Sequence, residues 1–245
     1  MICLSAAMRP GKCGRLTSSK NKNPDHVVLK FTLAIKKGQA LNILCIGAHS
    51  DDIEIGCGGT ILRLLSDWDE VEINWVVFGS AGQRKSEAIA SASNFLTAVK
   101  QKTIIVKNFR DGFFPYVGGE IKSFFEKLKK RVSPDIIFTH YRHDLHQDHR
   151  FISDLTWQTF RDHLILEYEI PKYDGDLGSP NFFVHLDESV SQRKIAFILE
   201  NFKTQRDNHW FTRETFLSVL RLRGIESNSP HGYAEAFYCR KLVLK

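Results

Sequence analysis

Residues 41–60 read LNILCIGAHSDDIEIGCGGT, and the fold is decided here. Leu41-Asn42-Ile43-Leu44-Cys45-Ile46 is an apolar run of strand length. It breaks at Gly47 into a histidine, a serine and two adjacent aspartates, and then into Gly56, Gly58 and Gly59. Side chains at i and i+1 face different ways on any regular element, so Asp51 and Asp52 are not placed to share one task. Two tasks are expected.

Outward from this stretch, strand-length apolar runs alternate with segments of helical period. The reading is strand 41–47, helix 58–67, strand 71–79, helix 84–98, strand 103–109, helix 119–132 and strand 135–140. Such alternation implies right-handed crossovers and a parallel sheet. The expected fold is therefore α/β, a Rossmann-like three-layer αβα sandwich with a mostly parallel sheet and its site at the C-terminal strand ends. The second half reads as helix 150–162, strands 164–170 and 182–186, helices 188–203 and 213–223, and a closing strand 236–244. Between the two short strands lies a long loop, 171–180, of the kind that is commonly functional. Residues 1–38 read as a basic, poorly ordered extension and 39–245 as the domain.

In an open parallel sheet the ligand site lies where the strand order reverses. With an order of 3-2-1-4, the first and fourth strands are neighbours. His49, Asp51 and Asp52 then meet the polar cluster that follows His140, Tyr141-Arg142-His143-Asp144-Leu145-His146-Gln147-Asp148-His149-Arg150. His49 and Asp52, at i and i+3, fall on one side of a helical turn, and a second imidazole can come from the other cluster. Two histidines and one carboxylate leave an open position for water, the ligand logic of a catalytic zinc. Asp51, pointing away from its neighbour, is free to act as the base.

These residues resemble a known family. HSDDIEIGCGGT (49–60) is similar to the HPDDxExGxGG signature of the LmbE-like, or PIG-L, deacetylases, and HQDH (146–149) is similar to that family's HxDH. The likeness covers 41–150 and continues weakly through Gly82–Glu87, Phe109–Gly112 and His231–Phe237. It implies a zinc-dependent N-deacetylase acting on an N-acetylglucosamine-type sugar, with Fe2+ able to use the same ligands. On that resemblance His49, Asp52 and His149 hold the metal, and Asp51 is the general base toward its water. His146 stabilises the oxyanion and protonates the leaving amine, Asp148 holds the His146 ring, and Arg84 and Asp111 face the sugar. In one departure, Ser50 stands where the family usually has proline, which removes a fixed φ but no ligand.

Plainer readings stand beside these. His140 reads as a hydrogen-bonding residue at a strand end and His143 as a surface residue or a partner of a ligand. The glycines read as turn residues at a helix start, Arg84 with Glu87 as an exposed ion pair, and Asp111 as a turn aspartate. A dinucleotide GxGxxG would need glycine at 61, where Ile61 stands, and no P-loop is present. Hydrolysis of another amide or ester at the same metal stays open. So does a metal-containing sugar-binding module without turnover, although a pure binder needs no base beside its metal. A single metal with a neighbouring base suits acyl transfer better than the two-metal clamps common for phosphate.

Composition removes other classes. The 245 residues carry a net charge of +6, but residues 1–40 hold eight Lys/Arg against Asp25 alone, so the remainder is at −1. The basicity belongs to the extension, and nucleic-acid binding is not expected. Five cysteines without CxxC spacing fit a reducing cytoplasm, and no apolar run reaches the ~18 residues of a membrane span. The first residues carry an apolar run too short for a secretory leader. The expected partner is a small N-acetylated sugar; a homo-oligomer is compatible with the sequence, which does not name the substrate.

Overall fold

The computed structural model describes residues 30–33 and 38–243. The chain divides into two units, Met1–Ala34 and Ile35–Lys245, and among the described residues the regular elements lie in the second. The expected extension over 1–38 lies almost wholly outside the described residues. Among them, no helix is long and apolar enough to cross a membrane, and Cys45, Cys57 and Cys239 are free thiols.

The opening apolar run forms β1 (Leu41–His49), whose residues from Ile43 to Ile46 are fully buried. Burial on both faces is what a run without alternation requires. β2 (Val71–Gly79) and β4 (Ile136–His140) flank it in parallel, Leu41 beside Val71 and Ile43 beside Ile136. β3 (Gln101–Val106) lies parallel to β2, and β5 (Leu164–Tyr168) parallel to β4. The full order is β3-β2-β1-β4-β5-β7-β6. The order therefore reverses between β1 and β4, as expected. At the far edge β7 (Tyr233–Cys239) runs antiparallel to both β5 and β6 (Phe182–Leu186), so the seven-stranded sheet is mixed.

The helices are α1 (Asp52–Asp67), α2 (Gly82–Phe95), α3 (Gly118–Lys129), α4 (Gln147–Thr159), α5 (Glu188–Asn201) and α6 (Arg213–Glu226). They pack in two groups: α1, α2 and α5 together with α6 against α5, and α3 against α4. Alternate residues of β1 and β2 serve the two faces. Leu44, Ile46, Val76 and Phe78 pack with Phe125 and Ile152 of α3 and α4, with Phe78 stacked on Phe125 at 5.1 Å between ring centroids. Trp75, on the other face, meets Phe95 of α2 at 6.1 Å.

Two helices start three or more residues earlier than periodicity predicts. α1 begins at Asp52 rather than 58, with the Ile55 amide donating to the Asp51 carbonyl at 3.0 Å, and α4 begins at Gln147 rather than 150. The first turn of α4, Gln147–Arg150, is polar throughout, whereas that of α1 alternates Asp52 and Glu54 with Ile53 and Ile55 and runs into glycines, a pattern without helical period. The same shift corrects the reading of the glycines, which lie inside α1, where neighbours close in. A Cβ on Gly56 would stand 2.2 Å from Tyr168 Cδ2, and one on Gly59 would stand 2.5 Å from Leu186 Cδ1. The Tyr168 ring is fully buried, and its hydroxyl donates to the Ile46 carbonyl at 2.7 Å, so it cannot retreat. Alanine ordinarily favours a helix over glycine by about 1 kcal/mol. Here Gly56→Ala is expected to destabilise the protein by about 1–3 kcal/mol through overpacking, measured by denaturant unfolding.

Glu235, within the weak likeness over 231–237, also acts on α1. Its carboxylate accepts from the Gly59 and Thr60 amides at 2.8 and 2.6 Å. Lys194 of α5 donates to Glu235 and to the Ile55 carbonyl, both at 2.6 Å. This buried ion pair seats the helix from the side of α5 and β7.

Candidate metal centre

β1 delivers His49 at its C-terminal tip, and α1 delivers Asp52 in its first turn. The loop after β4 leads into α4, which delivers Asp148 and His149. Because β1 and β4 are neighbours at the reversal, these side chains converge. His49 Nδ1 lies 3.1 Å from His149 Nε2 and 3.6 Å from Asp52 Oδ2, and His149 Nε2 lies 3.6 Å from Asp52 Oδ1. Ligands bonded at about 2.0–2.2 Å in tetrahedral directions stand roughly 3.3–3.6 Å apart. The two Asp52 contacts, made by different oxygens, match that spacing and the His49–His149 pair is slightly closer, so the three residues could hold a zinc-like ion after a small outward shift of the imidazoles. The neighbourhood is rich in donors: His146 with His49 and His149, His140 with Asp52 and His149, and Asp111 with Asp148 and His49 also form close sets.

Each member of the triangle is held by a further polar group. Asp144 Oδ2 lies 2.9 Å from His149 Nδ1, the carboxylate–histidine arrangement that orients a metal-binding imidazole. His49 Nε2 lies 3.0 Å from Asp111 Oδ1 and 3.2 Å from Asp148 Oδ2. Asp52 Oδ2 accepts the His49 amide at 2.6 Å and lies 3.1 Å from His140 Nε2. His140 is thus fully buried against the triangle, whereas His143 is exposed, beside Tyr141. Asp144 did not stand out in the sequence. Its signal was its place in the DLHQDH run, two residues before the first motif histidine.

The expected role of Asp148 is corrected. Its carboxylate does not hold the His146 ring; it accepts the Gly112 amide at 2.7 Å and the Phe114 amide at 3.2 Å while it meets His49. The backbone amide of Asp148 instead donates to His146 Nδ1 at 3.2 Å. That donation requires an unprotonated Nδ1, so a neutral His146 carries its proton on Nε2, 4.0 Å from Asp111 Oδ1.

Asp51 is buried outside the triangle, with its Oδ1 3.7 Å from Arg84 Nη2. Arg84 does not pair with Glu87, whose carboxylate is taken by the Thr204 amide and hydroxyl and by Gln83. It reaches Asp111 Oδ2 at 3.7 Å and donates through Nε to Ser50 Oγ at 3.1 Å. Ser50 therefore holds the arginine beside Asp51.

Burial and the Asp52 charge push Asp51 up to about 6, against the opposing pull of Arg84 and His49. For Asp52 burial acts upward too, but His149, His140 and His49 together keep it well below the usual range. Burial and the neighbouring His149 and His49 lower His146, and burial with His140 lowers His149, so both rings are neutral near pH 7. His49 differs: burial acts downward, but Asp111, Asp148 and Asp52 outweigh it and raise the ring to about 10. A metal must displace this proton. Zinc affinity, measured by chelator competition, is expected to rise about tenfold per pH unit from pH 6 to 9. A flat profile would exclude His49 as the protonated ligand.

Comparison with known proteins follows the same outline. Residues 44–160 match the PIG-L family model, described as GlcNAc-PI de-N-acetylase. The uncharacterized deacetylase YaiS of Escherichia coli (strain K12) is 28% identical over 155 residues, 59% of this chain and 82% of the relative. The N,N'-diacetylchitobiose deacetylase of Pyrococcus horikoshii superposes with a TM-score of 0.61 at 22% identity, covering 82% of this chain and 84% of that one. GalB, the 4-carboxy-2-hydroxymuconate hydratase of Pseudomonas putida KT2440, superposes with a TM-score of 0.65 at 17% identity, covering 84% and 98%. At these identities the two structures show the shared fold alone, and they carry two different reactions on it.

Proposed function

Because the chain carries a match to the PIG-L (LmbE-like) deacetylase family over residues 44–160, we propose that this chain is a metal-dependent N-deacetylase. On this reading it removes acetate from an N-acetylglucosamine-type sugar or glycoconjugate, and its Rossmann-like frame carries the site at the strand tips. The observation that supports it is the triangle of His49, Asp52 and His149 with a second buried carboxylate, Asp51, outside it and facing Arg84. The donor set is that of catalytic zinc, and Fe2+ fits it as well.

Such an ion, when bound, lowers the pKa of a water and polarises the acetamide carbonyl. The remaining work falls to the chain. Asp51, ionised above about pH 6, accepts the proton of the attacking water. His146, neutral with its proton on Nε2, donates a hydrogen bond to the oxygen on which charge develops. Since a neutral His146 has no proton to spare, the leaving amine takes its proton from Asp51. Arg84 holds Asp51 and Asp111 in place and, with Asp111, faces the sugar hydroxyls.

The test is acetate release from a panel of N-acetylated sugars, free, nucleotide-linked and glycosidic, with the metal-depleted protein as control. Release that stops on chelation and returns with zinc or iron is expected. A metal-loaded protein that frees no acetate from any member overturns the reading, and turnover of an unsaturated acid instead would point to hydration on the same frame.

A further inference from the structure

Behind His149 the polar contacts do not end at Asp144. The same oxygen that meets His149 Nδ1, Asp144 Oδ2, lies 2.9 Å from the ammonium of Lys172. Lys172 belongs to the long loop between β5 and β6, and its Nζ also lies 2.6 Å from Asp176 Oδ1 in that loop. Asp176 Oδ2 in turn accepts the Leu145 amide at 2.7 Å, next to Asp144 in the chain. These groups are withdrawn from water: the side chains of Asp144, Lys172 and Asp176 are 2%, 12% and 8% exposed. A lysine so placed has carboxylates for partners and little solvent, which is costly unless each charge is matched. The fold meets that cost immediately behind the imidazole that closes the triangle.

We propose that Lys172 is a positioning residue of the metal centre. Its ammonium fixes the Asp144 carboxylate on His149 Nδ1, so the β5–β6 loop sets the direction in which His149 presents Nε2. Two contacts define the Asp144 carboxylate on this side: Lys172 on Oδ2, and the His146 amide, which donates to Oδ1 at 2.8 Å. Without the cation, Asp144 and Asp176 are left as two buried like charges that push apart, and Asp144 is driven off the imidazole. A carboxylate that orients a metal-binding histidine is typically worth about 10–100-fold in metal affinity. The inference rests on the metal site of the proposed function, but it concerns binding rather than turnover.

The experiment is a double-mutant cycle read by zinc affinity of the full chain in chelator competition. Lys172→Met and Asp144→Asn are each expected to weaken zinc binding by about 10–100-fold. In the Asp144→Asn background, Lys172→Met should add less than about twofold, because the lysine acts through that carboxylate. Lys172→Arg should restore most of the affinity. A Lys172→Met protein that is less heat-stable but binds zinc as the wild type does would make the lysine a loop anchor only and overturn the proposal, as would additive losses in the cycle. If Lys172→Met does not fold, Lys172→Gln enters the same cycle under the same criteria. Acetate release is not read here, so a failed deacetylase reading leaves the result standing, whereas a wild type without zinc affinity overturns both.

Discussion

Asp51→Asn is expected to keep its full complement of zinc and to lose about 10²–10⁴ of its turnover, the range a positioned general base contributes. Both halves follow from position. Asp51 lies outside the triangle of His49, Asp52 and His149, so its loss removes no ligand, and the amide fills the same buried space. What disappears is the acceptor for the water's proton. The pH dependence gives the sign: a base works only when ionised, so wild-type kcat/KM should fall on the acid side as Asp51 protonates. The metal-free value of about 6 is an upper bound for that limb, because a dication favours the carboxylate. The Asn variant should show no such limb. Metal content beside a rate profile checks this, and turnover at the wild-type level would remove Asp51 from the mechanism.

His149→Ala should do the opposite, losing the metal first and the activity with it. Its Nε2 stands 3.1 Å from His49 Nδ1 and 3.6 Å from Asp52 Oδ1, so removing it opens the triangle. Zinc affinity is expected to fall by more than about 100-fold, beyond the range of changes to a ligand's supporting group. Excess zinc should recover part of the activity of this variant and none of that of Asp51→Asn. A His149→Ala protein that titrates one zinc with wild-type affinity would show that His140 or His146, both close by, supplies the imidazole instead.

The parts legible in the sequence were those with a local signature. The run 41–46 marks β1, and the alternation of runs and periods marks a parallel sheet; the reversal between β1 and β4 that joins the two motifs followed only on the supposition of a 3-2-1-4 order, which the sheet has. What was not legible depends on approach through space. The glycines of α1 look like turn residues until the Tyr168 and Leu186 side chains are seen against them. Asp148 was assigned to the wrong imidazole because nearness in sequence placed it on His146, whereas the loop carrying Gly112 and Phe114 turns its carboxylate to His49. Arg84 and Glu87 share a helical spacing, but each is claimed by a partner from another part of the chain. Asp144 and Lys172 are 28 residues apart, and no periodicity links them.

The ion pair of Lys194 and Glu235 extends the smallest unit that holds the site well past the motifs. A fragment trimmed to 44–160 would retain His49, Asp52 and His149. It would also leave the Ile55 carbonyl and the amides of Gly59 and Thr60 without the charges that clamp them. The β7 strand thereby works as a brace for the helix that opens at Asp52, and truncation before Glu235 would unseat Asp52, some 180 residues upstream.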